Sequence, residues 1–88
     1  MPLTLDKMPQ GNYRISSGAH AVELSADEYA DVFYAVPLNS TALYRLLVDT
    51  IVSDAARSEA MAKMLSSLSG RMNRELDDFQ KQVMALKP

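Results

Sequence analysis

Eighty-eight residues, 48% of them hydrophobic, are enough for one small globular domain and too apolar for a disordered chain. A net charge of −2 argues against nucleic acid as the main partner, and the lack of cysteine removes disulfides, thiolate zinc sites and a cysteine nucleophile. No apolar run approaches the roughly 18 residues that span a bilayer, and the start of the chain lacks a charged region followed by an apolar one, so a soluble, cytoplasmic protein without a membrane partner is expected.

The first residues, Met1 to Met8, alternate briefly at Leu3 and Leu5, which fits an edge strand or a loose arm, and Pro9-Gln10-Gly11 supplies a turn. Asn12-Tyr13-Arg14-Ile15-Ser16 and Ala19-His20-Ala21-Val22-Glu23-Leu24 flank Ser17-Gly18 and read as a β-hairpin. With Ser17-Gly18 as a two-residue turn, Ile15 pairs with His20 and Tyr13 with Val22, placing these four on one face and Arg14 with Ala21 on the other.

Ser25-Ala26-Asp27-Glu28 is the clearest local signal. Ser25 caps a helix while Glu28 reaches back to the cap's own amide, and Leu24 with Tyr29 forms a hydrophobic staple. This helix buries Tyr29, Val32, Phe33 and Val36 and is expected to stop near Val36, because Pro37 disfavours helical dihedrals in the residue before it. Asn39 or Ser40 then caps the next helix.

From there Tyr44, Val48, Ile51, Ala55, Ser58, Ala62, Leu65, Ser69, Met72, Leu76, Phe79, Val83 and Leu86 follow at alternating steps of four and three, the spacing of a helix that packs along one seam. A continuous helix over this stretch would be roughly 70 Å long, against a radius of gyration of about 12 Å for a compact domain of this size. One long helix therefore needs a partner. Two places invite a break: Ser53-Asp54, and the serines that precede Gly70. Two readings stay open, a long helix in a dimer and a helical hairpin. Leu43, Leu47, Met61, Met64 and Leu68 widen the apolar stripe, and the six methionines fit it as core side chains. The opposite face carries Glu59 with Lys63, Arg71 with Glu75, Arg74 with Asp78 and Asp77 with Lys81, all at i,i+4.

Candidates for chemistry are few. His20 is the only histidine, so one chain cannot assemble a two-histidine metal site, and it reads as a strand residue at the rim of the apolar face. Asp27, Glu28 and Asp31 suit the first turns of a helix better than a metal, and Asp77 and Asp78 diverge by about 100° around a helix, which suits ion pairs. The three glycines stand far apart and form no phosphate loop. No cofactor or metal is expected, and no enzymatic activity.

Lys7-Met8-Pro9-Gln10-Gly11-Asn12-Tyr13-Arg14 resembles the DNA-reading strand of Arc-type ribbon–helix–helix repressors, and Asn39-Ser40 followed by Arg45-Leu46 is similar to the start of that family's second helix. The resemblance implies a dimeric DNA-binding regulator with Gln10, Asn12 and Arg14 as base readers. A proline shortly after the strand arginine, usual in that family, is missing here, and Gly11 stands where an apolar residue is expected.

The residues themselves favour another reading: an α+β, mostly helical domain with a short N-terminal β-hairpin, one short helix, and a long C-terminal helix or helical hairpin. Residues 1–38 form the hairpin–helix unit and 39–88 the helical element. The expected function is a protein–protein interaction module, an adaptor, inhibitor or assembly component, whose partners are a second copy of itself and another protein. Val48, Ile51, Ala55, Ala62, Leu65, Met72, Leu76, Phe79, Val83 and Leu86 form the expected oligomer seam.

Overall fold

The structure is a computed structural model and describes residues 2–33, 39–50, 54–68 and 70–86. An antiparallel sheet in the order β1-β2-β3 is built from β1 (Thr4–Lys7), β2 (Tyr13–Ser17) and β3 (His20–Leu24). Four helices follow: α1 (Ala26–Phe33), α2 (Ser40–Thr50), α3 (Ala55–Ser66) and α4 (Met72–Leu86). The fold is α+β and mostly helical. Among the described residues no helix is long and apolar enough to cross a membrane.

Strand alternation decides which face of the sheet is covered. Leu3, Leu5, Tyr13, Ile15, Val22 and Leu24 are all buried on one face, while Thr4, Asp6, Ala21 and Glu23 lie exposed on the other. The start of the chain is an edge strand, not a loose arm: Leu5 pairs with Ile15 and Asp6 with Arg14.

The hairpin register differs from the sequence expectation by one turn position. Ser17 pairs with His20, Ile15 with Val22 and Tyr13 with Leu24, so the turn residues are Gly18-Ala19. Gly18 has φ +60° and, among the described residues, none other than glycine has a positive φ, which fits a II′ turn with glycine first. Placing the turn at Ser17-Gly18 would have forced a positive φ onto Ser17. Because the shift is even in residue pairs, the inward set keeps its face.

Ser25 begins α1 through the reciprocal capping box: the Glu28 amide donates to Ser25 Oγ at 3.1 Å and the Ser25 amide donates to Glu28 Oε1 at 2.9 Å. Tyr29, Val32 and Phe33 are buried. Val36 and Pro37, on which the expected end of this helix depends, lie outside the described residues. Asn39 caps α2, its Oδ1 accepting from the Ala42 amide at 2.9 Å.

Both suspected break sites are used, so the stretch from Ser40 to Leu86 is three helices rather than one or two. At the first, Asp54 adopts an extended conformation and its Oδ1 accepts from the Arg57 amide at 3.1 Å, an N-cap that lacks a capping-box acid because the third residue is Arg57. At the second, the Ser67 amide donates to the Lys63 carbonyl, Leu68 to Leu65 and Arg71 to Leu68, and Gly70 takes φ +86°. That left-handed dihedral favours glycine. The resulting molecule measures 32 × 26 × 22 Å, with a radius of gyration of 11.8 Å.

The helices cover the sheet unevenly. α4 lies against β1, α3 and α1 lie against β3, and α2 packs on α3 and α4. An aromatic series ties these layers together: Tyr13 of β2 stacks on Tyr29 with ring centroids 3.7 Å apart, Tyr29 meets Phe33 at 4.9 Å, and Phe33 meets Phe79 of α4 at 6.2 Å. Leu76, Phe79 and Val83 therefore fill the core of the single chain, together with Met61, Met64, Leu65 and Leu68.

Candidate interaction surface

Each open edge of the sheet receives a side chain from a helix. At β1, Gln82 of α4 lies beside the outward backbone groups: its Oε1 accepts from the Leu5 amide at 2.8 Å and its Nε2 donates to the Leu3 carbonyl at 3.0 Å. The primary amide stands in for a stretch of a fourth strand. At β3, Arg57 of α3 donates through Nη1 to the Glu23 carbonyl at 3.4 Å and to Glu28 Oε2 at 3.0 Å, while its Nε lies 3.4 Å from Asp54 Oδ2. One arginine thus joins the end of β3, the α1 capping box and the α3 cap. The Ser25 amide, then the Arg57 guanidinium, hold the Glu28 carboxyl below its ordinary range. Asp54 is lowered likewise, first by the Arg57 amide.

With its edges engaged and its inner face covered, the sheet leaves the helical layer as the place where apolar side chains reach solvent. Tyr44 and Val48 of α2 are 40% and 38% exposed, and Met84 of α4 is 55% exposed. These are the exposed large hydrophobic side chains among the described residues. The cause is topological. α2 packs on other helices and buries Leu43 and Leu47, with Leu46 partly buried beside them, while Tyr44 and Val48 stay exposed.

Between α2 and α4 runs a groove of about 250 Å³, lined by Thr41, Tyr44 and Arg45 on one side and by Met72, Asn73 and Leu76 on the other. A second depression of about 430 Å³ follows α4 past Asp77, Gln80, Lys81 and Met84. Arg45 and Asp49 flank the apolar pair, also one turn apart and exposed. Among the described residues neither forms an ion pair, in contrast to Arg14 with Glu23 at 2.7 Å and Lys63 with Glu59 at 3.2 Å. An arginine one turn before an acid is the less favourable order for pairing within a helix. Both side chains are exposed.

The expected oligomer seam is divided by this packing. Leu65, Leu76, Phe79 and Val83 are buried in the chain's own core, and Met72 and Leu86 pack against it. Ala55 and Ala62 are exposed on α3, Val48 is exposed on α2, and Ile51 lies outside the described residues. Once the chain folds back twice, the positions no longer share one face.

Of the three residues singled out as base readers, two lie in the β1–β2 connection and one on β2. Gln10 is exposed in the β1–β2 turn, Asn12 precedes β2, and Arg14 lies within β2, where it pairs with Glu23 on the neighbouring strand. His20 is exposed at the hairpin turn, Asp27 and Asp31 are exposed on α1, and Glu28 is engaged in the cap. Among the described residues no three histidine or carboxylate side chains converge as a metal site would require.

Sequence reasoning missed Gln82 and Arg57, for which periodicity carries no signal, since their partners lie on strands 77 and 34 positions away. Tyr44 and Val48, expected on the seam with Leu76 and Phe79, are exposed on α2 instead of sharing the core with them. The available signal was Arg45-Asp49, repeating the same four-residue step beside them. Compared with family models, curated proteins and solved structures, the chain matches none.

Proposed function

We propose that this protein is a small, non-enzymatic protein–protein interaction module that acts by occupancy, as an adaptor, inhibitor or assembly component, and that its binding face is the exposed side of α2, Tyr44 and Val48, together with the α2–α4 groove that Tyr44 lines. The observation that carries this reading is the location of the exposed large apolar side chains: Tyr44, Val48 and Met84 all belong to α2 and α4. Aromatic and methionine side chains beside a groove are the usual anchors of such contacts. The cytoplasm is the proposed compartment, and no cofactor takes part.

Affinity capture from the native host, run with and without nuclease, tests the reading. Protein partners are expected to be retained after nuclease treatment and lost with Tyr44→Glu, which leaves the core untouched. Retention of nucleic acid alone, lost with Arg14→Ala and unaffected by Tyr44→Glu, would contradict it and favour a DNA-binding regulator.

A further inference from the structure

We infer that the α2 face receives a second copy of this chain, with the two α2 helices antiparallel across a two-fold axis that passes between Tyr44 and Val48. The inference rests on the proposed reading of this face as the binding surface and names its occupant.

Self-complementarity is the reason for choosing a second copy. An isologous interface requires that whatever one copy presents at position i be matched by what the other presents at j, and the reverse. The exposed quartet Tyr44, Arg45, Val48 and Asp49 meets that condition. Turning the helix end for end places Tyr44 of one copy against Val48 of the second, and Val48 against Tyr44. The same rotation brings Arg45 of one copy near Asp49 of the second, and Asp49 near Arg45. Two apolar contacts and two opposite-charge contacts form from four residues of one helix.

Neither charge has an ion-pair partner inside the chain among the described residues, although Arg14, Arg57 and Lys63 all do. α2 is free to approach because it packs on α3 and α4 and presents its far side to solvent. A helix of eleven residues buries a modest area, so the association falls in the weak class of interfaces. Micromolar dissociation constants are expected.

Charge reversal in the full-length chain gives the test, read by sedimentation over a concentration series. The unmodified protein should be a dimer at high micromolar concentration. Arg45→Asp places acid against acid across the axis, and Asp49→Arg places base against base. Each variant alone should dimerise at least about tenfold more weakly. An equimolar mixture of the two should recover the dimer, because both cross-axis pairs are then of opposite sign. Circular dichroism spectra and melting curves close to those of the unmodified chain keep loss of fold from imitating loss of association.

A monomeric unmodified protein at high micromolar concentration would overturn the inference, as would single variants that dimerise normally or a mixture that fails to recover. If such a result came with nuclease-resistant capture of another protein that is still lost with Tyr44→Glu, the binding face would stand and only the second copy would be removed. A dimer that obeys charge reversal while Tyr44→Glu leaves all capture unchanged would uphold the second copy and remove the other-protein reading.

Discussion

α2 and α4 carry amphipathic patterns that merge into a single stripe along the sequence, yet the fold uses them differently. α4 lies against β1 and α2, and it buries Leu76, Phe79 and Val83 to 1% exposure or less. α2 reaches the core through Leu43 and Leu47 and leaves Tyr44 and Val48 about two-fifths exposed. An apolar periodicity fixes which side of a helix seeks cover, but the number of neighbouring elements fixes how much of that side is covered. The remainder is where another molecule can bind.

The difference can be broken most strongly at α4. Phe79 is fully buried at the end of the aromatic series, so Phe79→Ala removes a ring that the surrounding core cannot replace. A loss of about 3–5 kcal/mol is expected, enough to unfold much of so small a domain, and urea denaturation measures it. Gln82→Leu keeps the volume on α4 but leaves the Leu5 amide and the Leu3 carbonyl without their partner. A cost of about 1–3 kcal/mol is expected, together with faster hydrogen exchange at the Leu5 amide. Ser25→Ala weakens the α1 cap by about 1 kcal/mol and should leave association through α2 unchanged.

The smallest effect concerns Glu28. Its carboxyl titrates lower in the folded chain than its ordinary value of 4.5, so as pH falls the unfolded chain binds this proton first. The stabilisation is therefore present at neutral pH and is lost as the pH drops from about 4.5 through the folded value. Glu28→Gln should remove that part of the acid limb of a melting-temperature profile. The side chain is 43% exposed, and solvent screening limits the neutral-pH cost to less than about 1 kcal/mol. An unchanged acid limb would contradict the role given to Arg57 and the capping box.

What the sequence makes legible is what depends on neighbours in the chain. The capping box at Ser25 and Glu28, the Asn39 cap, and the alternation of Tyr13 and Ile15 are set within a few residues, whereas the two candidate break sites did not show that both would be used. The hairpin register was less accessible, because it turns on which residue of the turn must take a positive φ, and in that turn it is Gly18. Least legible was the division of the long stripe. A residue such as Leu76 reads the same whether it meets a second chain or the core of its own. Gly70 decides between them, since its left-handed dihedral reverses the chain and lets α4 return to β1. Of the candidate surface, Val48 was legible as an apolar position on the helical stripe. Its partition from Leu76 and Phe79 was not.

The claim that α4 is core and α2 is surface is tested most directly by placing the same charge on each and measuring fold and association together. Leu76→Asp buries a carboxylate without a partner and is expected to abolish the folded circular dichroism spectrum. Val48→Asp is expected to melt within a few degrees of the unmodified chain and to sediment as a monomer where that chain sediments as a dimer. A folded, monomeric Leu76→Asp variant alongside a Val48→Asp variant that still dimerises would contradict the account and return the interface to a seam along the C-terminal helix.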